Sequence, residues 1–403
     1  MYNYFMQINT DPQKIEEILT RGVHTVYTKD ELREKLLSGK QLHLKLGTDV
    51  TGPLLTLGHS VVHRKMRDFQ ELGHRVTLII GDFTTLVGDH SDKVDMRKET
   101  SISEISENER SYKEQFFKTV LEESTEIRHN SEWLKGLNFN DVINLSKEFT
   151  LQQMLDRETF MLRYKENKPI GLDEFLYPLM QGYDSVALNC DVEFGGTDQT
   201  FNLLAGRKLM PVFGLKSQSA IVMRLLTGND GRPMGKSLKN FIPIMDNPND
   251  MYGKIMSIVD TIIIEYLELA TRVPMDKIRE IELEMQNGAN PMEFKKLLAR
   301  EVVTFYHLKD AANEAETNFK NIVQKKEVPS GMIEYSCKKG QTLSQIVAGA
   351  NTSTSNKEAY RLIIQGGVSI NEETIKDPSK IIEIKEQSIL KVGKRNYYRL
   401  KIQ

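Results

Sequence analysis

Hydrophobic positions change period repeatedly along this chain, and the first clear change lies between residues 42 and 83. LHLKLG (42–47) and RVTLIIGDF (75–83) read as strands, the second an unbroken apolar run of the kind found in a parallel strand covered on both faces. Between them Val62, Met66, Phe69 and Gly73 recur at helical spacing, so strand, helix and strand form a right-handed crossover unit. Residues 1 to about 40 read as a helical lead-in of two segments, DPQKIEEILTRG and TKDELREKLLSG. Gly22 and Gly39 suit left-handed stops, and Thr28 or Asp30 is the expected cap of the second segment.

The alternation continues downstream. ERSYKEQFFKTVL predicts a helix, TEIRHNSEWL a strand-like segment, and EFTLQQMLDRETFMLRYKEN further helix. EFLYPLMQGYDSVALN predicts a helix with an interior turn, and DVEFGGTDQTFNLLAGRKL repeats the opening theme of short strand, glycine corner and helix. Beyond residue 245 the pattern becomes acidic amphipathic helices over about 248–325, then KKEVPSGMIEYS with Pro329 and Gly331 as a boundary, then short alternating strands to the end. The expected organisation is a Rossmann-like α/β parallel-sheet domain over 1–245, an α-helical domain over 246–325, a linker over 326–338 and a small α+β module over 339–403.

Composition sharpens this picture in two places. Two cysteines, Cys190 and Cys337, provide neither a disulfide framework nor a zinc spacing, so no metal site is expected and a reducing cytoplasm is the expected compartment. No secretory signal is visible in MYNYFMQINTDPQKIEEIL, and IVDTIIIEYLELA is interrupted by Asp260, Glu265 and Glu268. The formal net charge of −2 is unevenly spread: residues 339–403 hold eleven Lys and Arg against six Asp and Glu. A basic end module on an acidic body fits a polyanionic partner, as it also fits a solvated charged face.

Three groups of residues suggest chemistry. In an open parallel sheet ligands bind outside the carboxyl ends of the strands, where loops feed helix N-termini. Thr56-Leu57-Gly58-His59 opens a helix at such a corner: backbone N–H groups attract phosphate oxygens, Gly58 permits close approach, and His59 can donate a hydrogen bond. GNDGRPMGKSLKN supplies Gly228, Gly231 and Gly235 with Lys236 and Ser237, a glycine-rich loop able to reach a polyphosphate without P-loop spacing. Finally Asp89, Asp198-Gln199, and Tyr177, Gln181 and Asp184 on one helix face are polar residues in apolar surroundings. They need partners, either a zwitterionic, hydroxyl-bearing small molecule or one another.

Together these segments resemble bacterial tyrosyl-tRNA synthetases, which are class I aminoacyl-tRNA synthetases, in the same order from Gly22 to the last strand. TLGH resembles the first class signature and PMGKS the mobile second one, while FLYPLMQGYDSVAL and GGTDQTFNLLAGR resemble the amino-acid and adenylate segments more specifically. SNKEAYRLIIQGGVSIN resembles a small RNA-binding domain that ends many bacterial members.

The resemblance implies tyrosine activation by ATP with Mg2+, acyl transfer to tRNA(Tyr), and a homodimer. It places Asp89 at the substrate phenol, a role shared in the family with a tyrosine that is Lys45 here, and Asp184 at a second phenol contact. Tyr177, Gln181 and Gln199 are implied at the ammonium and carboxylate, and Asp49 and Asp198 at amino-acid or ribose groups, with Gly47 lining the tyrosine site. Thr51, Thr56, Gly58, His59, Lys93, Arg97, Lys236 and Ser237 take the catalytic positions; Gly58, His59, Gly195, Asp198, Met234 and Lys236 those toward ATP. Arg361, Lys394 and Arg395 are the cations implied for RNA phosphates. Thr56 replaces the first signature histidine and Pro233 the first signature lysine, for which Arg232 is a candidate replacement. Thr48, Val50 and His90 replace Phe, Pro and Pro beside Asp49 and Asp89. Two alternatives are a paralogue handing its aminoacyl group to another acceptor and an RNA-binding scaffold of weak catalysis.

Overall fold

The predicted strand pair forms the middle of a six-stranded sheet in the computed structural model, which describes residues 8–88, 102–235, 238–321, 333–338, 340–350, 355–371, 373–382, 388–393 and 396–402. Its strands are β1 (Val23–Tyr27), β2 (His43–Thr48), β3 (Arg75–Ile80), β4 (Thr125–His129), β5 (Val192–Gly196) and β6 (Ser219–Met223), in the order β1-β6-β5-β2-β3-β4. All pairs are parallel except β1 with β6, which runs Val23 opposite Met223 and Tyr27 opposite Ala220. From β2 the chain builds outward through β3 to β4, and later through β5 to β6. The strand order therefore reverses between β2 and β5, where a crevice opens beyond the strand ends.

Two strands escape the sequence pattern. VHTVY falls inside the stretch expected to be helical lead-in, yet it forms β1 between α1 (Pro12–Thr20) and α2 (Lys29–Leu37); SAIVM supplies its partner β6. β1 is only five residues, half-exposed and irregular between Val23 and Thr25, so period-2 alternation is blurred. Gly22 and Gly39 do take left-handed φ of 67° and 73°. Thr28 occupies the N-cap of α2 at φ 63° without a capping side-chain bond, so neither expected cap residue caps in the expected way.

α3 (Leu57–Glu71) buries Met66 and Phe69 as its spacing predicts. α4 (Ile102–Phe116) precedes β4, after which come the short helices α5 (Ser131–Leu134) and α6 (Phe139–Ser146); α7 (Leu151–Leu155) and α8 (Glu158–Lys165) then replace the single long helix expected over 148–167. The break falls at Arg157, whose extended backbone (ψ 127°) restarts the chain as α8. α9 (Tyr177–Leu188) follows a turn of 3-10 helix at 173–175 and packs on α10 (Thr200–Val212). That packing needs glycine on both sides: a Cβ at Gly182 would lie 2.8 Å from Leu209 Cδ1, and one at Gly206 would lie 2.5 Å from Ser185 Oγ. α11 (Pro248–Met256), α12 (Ile263–Ala270), α13 (Met275–Gln286) and α14 (Pro291–Phe319, broken at Leu308) follow.

The chain divides into compact units at residues 312 and 313. In the second unit β7 (Ile333–Cys337), α15 (Leu343–Ala350), α16 (Asn356–Ile364), β8 (Val368–Ile370), β9 (Glu373–Thr374), β10 (Ile389–Val392) and β11 (Asn396–Ile402) form a sheet in the order β7-β11-β10-β8-β9 with two helices. Leu343, Ile346, Ile363, Leu390 and Leu400 are buried in its separate core.

The approach to α9 is fixed by a buried ion pair. Arg163, wholly buried on α8, donates to both oxygens of Glu174 at 2.5 and 2.8 Å and to the Pro169 carbonyl at 2.5 Å, closing the turn that precedes α9. Arg163→Met leaves Glu174 as an uncompensated buried charge, which costs about 3–5 kcal/mol. Thermal unfolding of this variant is expected to begin roughly 5–10 °C lower, and an unchanged midpoint would remove the pair from the account of how α9 is placed.

Candidate active site

The first signature corner is a helix start with its own internal cap. Thr56 has extended backbone, φ −119° and ψ 169°, and its N–H donates to His59 Nδ1 at 3.2 Å. The Thr56 hydroxyl lies 2.9 Å from the same ring nitrogen and 3.4 Å from Met234 Sδ. Because Nδ1 accepts from a backbone N–H, the neutral imidazole carries its proton on Nε2 and presents a donor there. Gly58 leaves room for the opposite loop, since a Cβ would stand 2.9 Å from Met234 Sδ. The two signature segments thus meet at Thr56, Gly58 and Met234, reinforced by Leu57 N–H to Ile242 O at 2.9 Å and Ile244 N–H to Leu55 O at 3.1 Å.

The second loop is folded back on itself. Thr227 bridges Pro233, Gly228 N–H donates to Arg232 O at 2.8 Å, and Asn240 ties the loop by donating to Asp230 at 2.8 Å and accepting from Gly235 N–H at 2.9 Å. Asn240 and the Arg232 guanidinium together lower the Asp230 carboxyl to about 2. Arg232, the candidate replacement for the charge lost at Pro233, is paired with Asp230 at 2.5 Å.

At the crevice, the face of α9 carrying Tyr177, Gln181 and Asp184 meets three different anchors. Tyr177 donates its hydroxyl to Asp49 Oδ2 at 3.1 Å, while Asp49 Oδ1 accepts from Thr84 Oγ1 at 2.8 Å. Gln181 Nε2 donates to Glu193 Oε1 at 3.1 Å. Asp184 Oδ1 accepts from Trp133 Nε1 at 2.8 Å, and Asn130 reaches Asp184, the Phe83 N–H and Thr84. Beside them a Cβ on Gly47 would meet no atom within 4 Å, so the end of β2 is open on that side.

Beyond β5, the amide of Gln199 is held from both ends. It donates to Asp198 Oδ2 at 3.1 Å and accepts from Asn202 at 2.9 Å, with Gly195 pressed against its Cβ. Thr51 and Asp198 are exposed near the strand ends. Lys45 is not at the surface. It is completely buried, its ammonium 2.7 Å from the equally buried Glu193 carboxylate in the neighbouring strand. Burial opposes the Lys45 charge, yet Glu193 holds its pKa above the ordinary lysine value.

Asp89, Lys93, Arg97, Lys236 and Ser237 lie outside the described residues, as do Lys394 and Arg395. Arg361 is exposed on α16, 3.5 Å from Glu358. Sequence reasoning missed Glu193, Trp133, Asn130 and Thr84. Glu193 had a signal: one acid within the buried strand VEFGG and one lysine within the buried strand HLKLGT are each implausible alone and complementary together.

A twisted parallel sheet with its crevice at the order reversal, a Gly-His helix start and a facing glycine-rich loop define a nucleotide-handling α/β protein. The chain belongs to the family of class I tRNA synthetases of the tryptophan and tyrosine type, whose model matches residues 37–324. It is 47% identical over 398 residues to a tyrosine–tRNA ligase of Carboxydothermus hydrogenoformans, covering 95% of this chain and 97% of the relative. It is 43% identical over 410 residues to that of Moorella thermoacetica, covering 99% of both chains. A solved mitochondrial tyrosyl-tRNA synthetase of Aspergillus nidulans, 22% identical, shares the fold with a TM-score of 0.65 over 77% of this chain and 93% of its own. No helix among the described residues is long and apolar enough to cross a membrane.

Burial raises the Asp184 carboxyl to about 7, against the opposing influence of the Lys45 charge and the Trp133 and Asn130 hydrogen bonds. The folded chain therefore keeps a proton there that the unfolded chain releases near its ordinary value of 3.8, so stability falls as pH rises from about 4 to about 7 and levels off above. Asp184→Asn is expected to flatten that dependence. Trp133 is the chain's only tryptophan, so intrinsic emission should also titrate with a midpoint of about 7 and cease to do so in Asp184→Asn. Emission insensitive to pH in the parent chain would contradict a protonated Asp184.

Proposed function

We propose that this chain is a tyrosine–tRNA ligase that activates L-tyrosine with ATP and transfers it to tRNA(Tyr). The observation that carries the reading is the constellation at the β2–β5 crevice: Tyr177, Gln181 and Asp184 on one face of α9, anchored on Asp49, Glu193 and Trp133, with the Thr56–His59 corner meeting Met234 on the nucleotide side. Its support is the near full-length likeness to curated tyrosine–tRNA ligases.

In this mechanism the tyrosine carboxylate attacks the α-phosphate of ATP, forming an acyl phosphate bond as pyrophosphate leaves with both electrons of the broken P–O bond. A hydroxyl of the terminal tRNA ribose then attacks the carbonyl carbon, and AMP departs. No side chain need be a nucleophile; positioning and charge stabilisation are what the protein supplies. His59, with its proton on Nε2, donates to a phosphate oxygen, and Lys236 neutralises the departing pyrophosphate together with the Mg2+ that accompanies ATP. Asp89 reads the phenol, with Asp184 the second phenol contact. Lys93, Arg97, Thr51 and Ser237 complete the phosphate side, and Asp49, Asp198 and Gln199 meet amino-acid or ribose groups. Rejection of phenylalanine follows from leaving a buried polar group without its hydroxyl partner, for which this family is the standing example.

The assignment of residues 1–245 to catalysis, 246–325 to anticodon recognition and 339–403 to RNA binding completes the proposal. Arg361, Lys394 and Arg395 there bind phosphates, and their contribution weakens with salt. Phe139 and Leu172, 80% and 83% exposed, with Leu151 and Tyr164 are apolar side chains left exposed between residues 139 and 172. Such surface suits a homodimer.

Charging of bacterial tRNA with labelled tyrosine in the presence of ATP and Mg2+ tests the function directly, and pyrophosphate exchange without charging would favour the paralogue reading. Lys236→Ala is expected to lower the single-turnover adenylation rate about 10²-fold while tyrosine binding persists; an unaltered rate would take Lys236 out of the mechanism. Removal of residues 339–403 should depress charging far more than exchange, and equal losses would sever that module from tRNA.

A further inference from the structure

The mechanism above makes no use of Glu193, although four side-chain donors converge on its carboxylate. Its two carboxylate oxygens accept two donors each: Oε1 from Lys45 Nζ at 2.7 Å and Gln181 Nε2 at 3.1 Å, Oε2 from Ser185 Oγ at 3.2 Å and from Gln218 Nε2. Lys45, Ser185, Gln218 and Glu193 itself are all completely buried, whereas Gln181 reaches toward the crevice.

An ionised carboxylate accepts hydrogen bonds and cannot donate them. Of the two ways an amide can be turned, only the one with Nε2 toward Glu193 is then compatible with the bond observed, and planarity sends Oε1 the other way. Gln218 obeys the same logic, with Nε2 on Glu193 and Oε1 accepting from Cys190 Sγ at 2.8 Å. Lys45 sets its ammonium against that carboxylate in a place that water does not reach. The Lys45–Glu193 pair therefore determines which end of Gln181 the crevice sees.

We propose that Glu193, held by Lys45, is a positioning residue that turns the Gln181 carbonyl oxygen toward the ammonium group of the amino-acid substrate. This inference rests on the tyrosine-activating function proposed above. Glu193 touches no substrate atom; it selects a hydrogen-bond acceptor at a position where a donor would repel the ammonium.

The test compares L-tyrosine with 3-(4-hydroxyphenyl)propanoate, which has the same phenol and carboxylate and lacks the ammonium, by equilibrium dialysis against the full chain. Glu193→Gln is nearly isosteric and can donate to Gln181 as well as accept. It is expected to weaken L-tyrosine by at least about tenfold and the desamino acid by no more than about twofold, with the KM for ATP in pyrophosphate exchange unchanged. Because Glu193→Gln leaves Lys45 buried without its partner, the variant Lys45→Met with Glu193→Gln, which removes both charges, is measured in parallel and should show the same selective loss. Equal weakening of the two ligands, or none, in a folded variant overturns the inference. Absence of L-tyrosine binding in the parent chain overturns the proposed function and the inference with it.

Discussion

The Lys45–Glu193 ion pair joins the two parallel strands between which the strand order reverses, and much of the crevice depends on it. Removing both charges from water is expensive, and the mutual attraction alone rarely offsets that cost. Here two donors on each carboxylate oxygen complete the compensation, so the pair is stable only as part of a network that includes α9 and the start of β6. The same bonds that make the charges tolerable tie α9 to the sheet. A change of stability and a change of site geometry are therefore inseparable at this point.

Around that anchor, the site is assembled by short-range constraints. Asp49 ties the end of β2 to Tyr177 and to Thr84, and Asn130 links Thr84 to Asp184, so the polar residues hold one another before any ligand arrives. Such preorganisation lowers the cost of ordering the site around substrate. At the nucleotide side the restraint is of another kind: the Thr56 N–H chooses the tautomer of His59, and Gly58 leaves room for Met234. A threonine at the first signature position is compatible with both, because its backbone N–H and its hydroxyl both lie within hydrogen-bond distance of His59 Nδ1.

Much of this was legible in the sequence because the central strands, β2, β3 and β5, are buried on both faces and α3, α9 and α10 keep helical spacing. The corner at Thr56–His59 and the common face of Tyr177, Gln181 and Asp184 could be read from spacing alone. β1 was not legible, since a half-exposed five-residue edge strand flanked by helices has little periodicity of its own. The helix over 148–167 was overextended because its apolar pattern continues through Arg157, where tertiary packing rather than propensity stops it. Glu193 was hidden by the habit of reading each segment singly; its meaning exists only once β5 lies beside β2. Of the two interpretations of the polar face, the network of mutual partners is present in the structure, and it is compatible with the substrate-binding role proposed above.

The edge position of β1 also bears on how the chain comes to be folded. Its neighbour in the sheet is β6, with Val23 opposite Met223, so the first strand to leave a ribosome waits for about the last strand of the sheet before it has anything to pair with. The β2–β5 pairing, Lys45 opposite Glu193, is nearly as distant. Contacts of such separation are slow to form and leave apolar edges uncovered meanwhile. During synthesis β2, β3 and β4 can associate early, whereas the crevice, with its buried charges, comes into being only when the segment from α9 to β6 has emerged.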